Sequence, residues 1–386
     1  KLLKYIEELK NTDTEVFWKL PFDDFNVKKI KQLADRYRAG NFENVVVIGI
    51  GGSSLGTLAV WEALRGDKQF LFAETLGARH LNRLLKRLKG SSIFVVVSKS
   101  GTTTETVANT AVLLDQMKAG DRMAVVTDKG SKLWHWAQKR GFDILESSKQ
   151  VRGRYSVFSA VGLFPLALGG VDINRLVTGA RQINSDCLST NAEINPALRS
   201  ALMIWKYWKK GKIIHDTFLF EQDLECFGKW YRQLTGESIG KGGKGLTPTV
   251  SIGTIDLHSV AQLYLGGPKD KFTTFVSVKD RGEDFTISNK SNIEELVPGI
   301  SGKTFSAISD AILTGVKTAY QKKKLPFMEI KLEAISPESI GALLQMKMIE
   351  MAYLANLLGV NAFDNPQVEL YKEETRKNLY AISSKS

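Results

Sequence analysis

Two hydrophobic periods alternate along this chain. Short β-branched runs, VVVI at 45–48 and IFVVV at 93–97 among them, read as buried parallel strands, because a strand covered on both faces needs no polar alternation. Between the runs, apolar positions recur every three or four residues, as at Leu81, Leu84, Leu85 and Leu88, which is the stripe of an amphipathic helix. The pattern predicts helical structure through most of residues 1–44, opened by Leu2, Leu3, Ile6 and Leu9 and repeated by Ile30, Leu33, Ala34 and Tyr37. It then predicts strand 44–50, helix 57–65, a strand near 70–74, helix 79–89, strand 92–98, helix 104–118, strand 122–127 and helix 131–140. Repeated strand–helix alternation of this kind implies a parallel, doubly wound sheet with helices on both faces.

The alternation breaks at 151–170, VRGRYSVFSAVGLFPLALGG, a Gly-containing turn with Arg152 and Arg154 followed by a long apolar helix. Helix 173–185 and the loop to Pro196 read as a crossing between domains, and Asn195–Pro196 supplies the cap and first-turn proline of helix 196–209. Alternation then resumes: strand 213–220, helix 222–236, strand 248–252, helix 258–265, strand 272–278, a weaker strand near 283–287, helix 303–322 and strand 326–332. Helix 337–358 carries Ile340, Leu343, Leu344, Met348, Met351 and Leu354 along one face, and a charged helix, 367–379, closes the chain. The expected fold class is therefore α/β: two doubly wound parallel-sheet domains, residues 1–185 and 186–386, each an αβα sandwich, with a C-terminal helical tail.

Composition narrows the function classes. Across 386 residues, 43% are hydrophobic and 24% charged, ordinary values for a globular protein. No apolar run approaches the length of a membrane span, and the opening KLLKYIEELK has no signal-peptide core, so a cytoplasmic protein without a membrane partner is expected. Cys187 and Cys226 form no framework, and His80, His135, His215 and His258 are too scattered for a metal site. The net charge of +12 suits a small anionic substrate. Its densest clusters, 205–212 and 321–326, read as solvated helix ends, and no nucleic-acid module accompanies them.

Two strand-to-helix turns concentrate the candidate chemistry: VVVIGIGGSSLG at 45–56 and VVVSKSGTTTET at 95–106. Glycines allow close backbone approach, while Ser and Thr hydroxyls and the amides of a helix start offer donors to an anion. Ser54 stands where a dinucleotide fingerprint needs its third glycine, and Thr57 where a Walker loop needs lysine, so no nucleotide is implied. Two such loops in one domain, with Lys99 in the second, point to a cradle for a phosphate; the plainer alternative is Gly and Ser serving turn geometry.

Three further residues could do chemistry. In QLTGESIGKGGKG, Glu237 stands where the helix ends, beside a glycine-rich loop that reads as mobile and carries Lys241 and Lys244. A carboxylate there is either a general base or a solvated surface group. His258 opens a helix after Gly253–Thr254 and is a candidate general acid or base, or else a capping or core histidine. Lys372 lies three residues after Glu369, the spacing of a helical surface ion pair.

Taken together, VIGIGGSSLG, VVSKSGTTTETVANT, GRYSVFSAVGL, WYRQLTGESIGKGGKG, GTIDLHSVAQLYLGGP and FDNPQVELYK resemble the phosphoglucose isomerase family, in order, from about residue 45 to 372. The compact length is similar to that of its shorter bacterial members. The resemblance implies two sugar-isomerase domains and an aldose–ketose interconversion of glucose 6-phosphate and fructose 6-phosphate, in glycolysis and gluconeogenesis. It implies that Ser53, the amide of Gly52, Ser98, Lys99, Ser100 and Thr103 hold the sugar phosphate. Glu237 matches the family base for proton transfer between C1 and C2, Arg154 the arginine near the enediolate, and Gln233 a substrate contact. His258 and Lys372 match the ring-opening groups, with His258 reaching the site from the partner subunit of a homodimer. No metal or organic cofactor is implied. The motif FDNPQVE departs from the family's usual FDQPGVE at Asn365 and Gln367, so no role is assigned to Asn365. A related isomerase for mannose or amino-sugar phosphates, or a sugar-phosphate-binding regulator, would share the two loops.

Overall fold

A computed structural model describes residues 2–11 and 17–383; residues 12–16 of the expected N-terminal helical stretch lie outside it. The first sheet contains β1 (Asn44–Ile48), β2 (Gln69–Ala73), β3 (Ser92–Val97), β4 (Arg122–Thr127) and β5 (Asp143–Glu146), all parallel, in the order β2-β1-β3-β4-β5. Val45 and Val47 point into one core and Val46 and Ile48 into another, so helices cover both faces and the unbroken β-branched run is explained. β5 has no counterpart in the sequence reading. It is a four-residue edge strand, half exposed, too short and too polar to stand out from the turn around it.

The second sheet contains β6 (Ile214–Leu219), β7 (Thr247–Ile252), β8 (Lys271–Asp280) and β9 (Phe327–Ala334), again all parallel, in the order β7-β6-β8-β9. The strand expected near 283–287 does not form. That stretch has a single antiparallel bridge, Thr286 to Thr304, and Phe285 is 71% exposed, so nothing buries a strand face there. In each sheet the chain reverses direction of growth after its second strand, which leaves a switch point between the first and third strands, and such switch points open a crevice at the carboxyl ends of the strands.

Helices join the two halves. Pro337–Leu358 is buried along most of its length, on every face rather than on one, and it packs against Ile173–Cys187, Pro196–Trp208 and Glu225–Ile239. Even Lys347 and Glu350 in it are fully buried; they pair at 2.8 Å, and Tyr231 donates to Glu350 at 2.5 Å. Gly359, with φ of 68°, ends this helix in the left-handed conformation that suits glycine. One continuous apolar core runs through both halves.

Candidate active site

The first switch point lies between β1 and β3, and the loops leaving these two strands face one cleft of about 620 Å³. After β1 the chain makes a short turn, Gly51–Ser53, and enters helix Leu55–Leu64; after β3 it passes Lys99–Thr103 and enters helix Thr104–Asp115. Neither helix is closed by its own cap. Ser54 spends its hydroxyl on Glu74 (2.6 Å), and Thr103 pairs with Ser98 (3.1 Å), so no side chain takes the first amides of either helix. Unsatisfied amides and two helix dipoles converge on the cleft, the ordinary physics of an anion site.

The glycines of the first loop are required by contact. A Cβ on Gly52 would lie 2.3 Å from the carbonyl carbon of Gly153 and 2.5 Å from the nitrogen of Arg154. The loop therefore touches the turn Gly153–Tyr155 backbone to backbone, which brings Arg154 beside the cleft. Arg154 is almost fully buried, with its side chain 1% exposed. Its Nε donates to Ser238 (3.0 Å), Nη1 to Glu237 (3.0 Å), and Nη2 to the carbonyls of Ala362 (2.5 Å) and Asp364 (3.1 Å).

Glu237 is held at both oxygens, Oε2 by Arg154 and Oε1 by Gln233 Nε2 at 2.9 Å. Gln233 and Glu237 are one helical turn apart on Glu225–Ile239, so they share a face. This helix runs three residues past Gly236. Glu237 thus sits inside its last turn, not at a helix end beside a mobile loop. The loop after it is tied down as well. Lys241 pairs with Asp364 at 2.7 Å and Lys244 donates to the carbonyl of Leu358 at 2.8 Å. Burial pushes the Lys241 ammonium below the usual lysine range, against the pull of Asp364.

Gly52, Ser53, Lys99, Ser100, Thr103, Arg154, Gln233, Glu237 and Lys372 all line this cleft. Two expected residues do not. Ser98 is 1% exposed and sits beneath the loop, where its hydroxyl braces Thr103. His258 closes the one-turn helix Ile255–His258 instead of opening a longer one; it is exposed and does not line the cleft. Lys99 faces the cleft with its donors engaged: its ammonium donates to the carbonyls of Ser148 (2.6 Å) and Lys149 (2.8 Å) and lies 3.5 Å from Asp128. Desolvation lowers its pKa, and Asp128 opposes that shift. Lys372 forms the surface pair with Glu369 that its spacing predicts, at 2.9 Å, on helix Val368–Ser383.

Sequence reasoning passed over Ser238, which orients both Arg154 and, through a 2.8 Å hydroxyl contact, Tyr155. It also passed over Arg152, whose Nε donates to the carbonyl of Phe363 at 2.6 Å. Arg152 stands one residue before the motif GRYSVFSAVGL, and no spacing rule links it to a carbonyl 211 residues away. No group of three or more His, Cys, Asp or Glu able to hold a metal ion occurs among the described residues.

A doubly wound α/β fold whose first switch point opens a cleft with two uncapped helix N-termini and a clamped carboxylate defines a class, that of α/β folds that hold a ligand at the carboxyl ends of their strands. Within that class the chain belongs to the phosphoglucose isomerase family, whose model matches residues 23–264. It is 34% identical over 345 residues to glucose-6-phosphate isomerase of Methanocaldococcus jannaschii, covering 88% of this chain and 85% of that one. A hypothetical protein from Thermus thermophilus superposes with a TM-score of 0.91 at 30% identity, over 98% of this chain and 94% of that one. The crystal structure of a glucose-6-phosphate isomerase from Chlamydia trachomatis shares the fold, with a TM-score of 0.82 at 24% identity, over 93% of this chain and 73% of that one.

Proposed function

We propose that this chain interconverts glucose 6-phosphate and fructose 6-phosphate, the aldose–ketose step of glycolysis and gluconeogenesis. The observation that carries the reading is Glu237, a carboxylate fixed at both oxygens in the same cleft as two open helix N-termini. In this reading the phosphate takes no part in the chemistry. The amides and hydroxyls of Gly52, Ser53, Ser100 and Thr103 hold it, Ser98 braces Thr103, and Lys99 adds positive potential. That binding energy orients the sugar carbons against the base.

Glu237 removes the proton from C2 of the open aldose, the hydroxyl proton on O2 passes to O1 in the enediolate, and Glu237 returns the carbon proton to C1; the reverse reaction runs through the same enediolate. Arg154 has five N–H groups, and four of them are directed to Ser238, Glu237, Ala362 and Asp364. The fifth, on Nη1, is left for an enediolate oxygen. A guanidinium preorganised in a buried setting stabilises such developing charge without reorganising. Gln233 fixes the carboxylate rotamer and contacts substrate. Lys372 acts on the ring oxygen or anomeric hydroxyl during ring opening. The reading needs no metal or organic cofactor.

Ring opening takes a donor to the ring oxygen and an acceptor for the anomeric hydroxyl proton, and we assign the group that acts beside Lys372 to His258 of a partner subunit in a homodimer. Large apolar side chains exposed on the same half of the chain support this: Ile255, Leu263, Phe285 and Leu296 are 63, 49, 71 and 76% exposed. We place the domain division near residue 185 and the enzyme in the cytoplasm, in keeping with two unpaired cysteines.

The test is a coupled assay with fructose 6-phosphate, in which glucose-6-phosphate dehydrogenase reports product. Glu237→Gln is expected to lower kcat by about 10³-fold or more while inorganic phosphate still binds. Wild-type turnover in folded Glu237→Gln would remove the proton-transfer assignment.

A further inference from the structure

Helix Val368–Ser383 brings Lys372 to the cleft, yet it buries none of its described side chains. Leu370, Tyr371, Tyr380 and Ile382 are 63, 60, 79 and 67% exposed. A helix with no buried face is not located by packing. The segment by which it is attached therefore carries much of its positioning within the subunit.

That segment follows Gly359, and four cations grip its backbone: buried Arg154, half-buried Lys241, and the exposed Lys244 and Arg152. Lys244 donates to the carbonyl of Leu358, Lys241 to Asn361 and Asp364, Arg154 to Ala362 and Asp364, and Arg152 to Phe363. Carbonyl oxygens in ordinary turns are left to water or to neighbouring amides, and a run of them bound by guanidinium and ammonium groups is a held connection. Lys241 makes the most contacts to one point. Besides the two carbonyls it pairs with the carboxylate of Asp364 at 2.7 Å, and its side chain is 13% exposed. It does not line the cleft. It comes from the loop directly after Glu237, so one side chain joins the element that carries the base to the turn that leads into the Lys372 helix.

We infer that Lys241 is a positioning residue: by clamping the turn at Asn361 and Asp364 it sets where Lys372 stands relative to Glu237. The inference rests on the function proposed above. Loss of the clamp leaves the phosphate cradle intact, because that cradle is built from the loops after β1 and β3. It leaves the turn to Arg154 at Ala362 and Asp364 and to Arg152 at Phe363, and so loosens the attachment of a helix none of whose described side chains is fully buried.

The test is a mutant cycle in the full-length protein. Lys241→Met keeps the length and apolar stem and removes the donors. It is expected to lower kcat by about 10²-fold, the scale of a one-ångström misplacement, with the inhibition constant of inorganic phosphate unchanged. Lys241→Arg, which restores a cation and donors, is expected to recover most of the rate. In a Lys372→Met background, adding Lys241→Met is expected to cost under about twofold, because the group it positions is already gone. A merely structural role would lower the folded fraction, which circular dichroism reads, and would multiply with Lys372→Met. If Lys241→Met does not fold, Asp364→Asn reports in the same cycle, since it keeps the backbone carbonyls and weakens only the ion pair.

Full kcat in folded Lys241→Met, or multiplicative losses in the cycle, would overturn the inference and leave the isomerase reading standing. Full turnover in Glu237→Gln would instead remove that reading, and the inference with it.

Discussion

At Gly52 one missing methyl group decides where an arginine sits. Because a Cβ there would lie 2.3 Å from the backbone of Gly153, Gly52→Ala must push the Gly153–Tyr155 turn away and carry Arg154 with it. Overpacking of this kind costs about 1–3 kcal/mol, read as a lower urea midpoint, and it moves the guanidinium off Glu237. The inhibition constant of inorganic phosphate is expected to rise at least about tenfold, since the amide of Gly52 moves too. The same chemical change at Gly315, inside helix Phe305–Lys322 with nothing within 4 Å, is expected to raise stability by up to about 1 kcal/mol and leave phosphate binding alone. If both variants behave alike, contact at the Gly52 turn is not what the glycine serves.

At the scale of elements, the second sheet carries a titratable group in its core. On β6 His215 is 1% exposed, stacked on Phe272 at 5.5 Å, with Nε2 bonded to Thr274 at 2.8 Å. Burial first, then the nearby Lys347 ammonium, push its pKa down to about 3. The unfolded chain takes a proton there near pH 6.5 and the folded one does not, so the unfolded state binds more protons between these values and stability falls as pH falls. From pH 7 to 5.5 the loss is about 1 kcal/mol from this group. Asp216 beside it, raised by burial, works in the opposite sense. The urea midpoint of wild type is therefore compared with His215→Gln, whose midpoint is expected to fall less over the same interval; equal slopes would mean that His215 is not the sensor. Most elements, both sheets' alternation and both Gly/Ser loops were legible, because buried parallel strands and capped helices each have a local signature. What was not legible is long-range. The edge strand β5 gains its identity from pairing with β4, and the loop holding Lys241 and Lys244 looks mobile until the carbonyls of residues 358–364 arrive to receive them. Periodicity could not reveal that His258 does not line the cleft, since spacing places a residue on an element and not beside a distant one.

At the scale of the whole molecule, the cleft lacks an imidazole: none of the four histidines lines it. If His258 completes a neighbouring subunit's site, each active site is shared, and two defects in different chains can be separated. Glu237→Gln damages only the site in its own chain, whereas His258→Ala damages only the site of the partner. Each homodimer is then inactive at both sites. In a mixed dimer, one site collects both defects and the other receives an intact Glu237 from one chain and an intact His258 from the other. Equimolar mixing under subunit exchange gives half mixed dimers with one good site in two, so activity is expected to return to about a quarter of wild type. A histidine acting within its own chain leaves every site in the mixture with one defect, and no activity returns. Leu263→Asp, which puts a charge into the exposed apolar surface near His258, is expected to prevent both dimerisation and the recovery, read by sedimentation and by the same assay. Recovery that survives in a monomeric variant would show that the shared site is wrong even where the dimer is real.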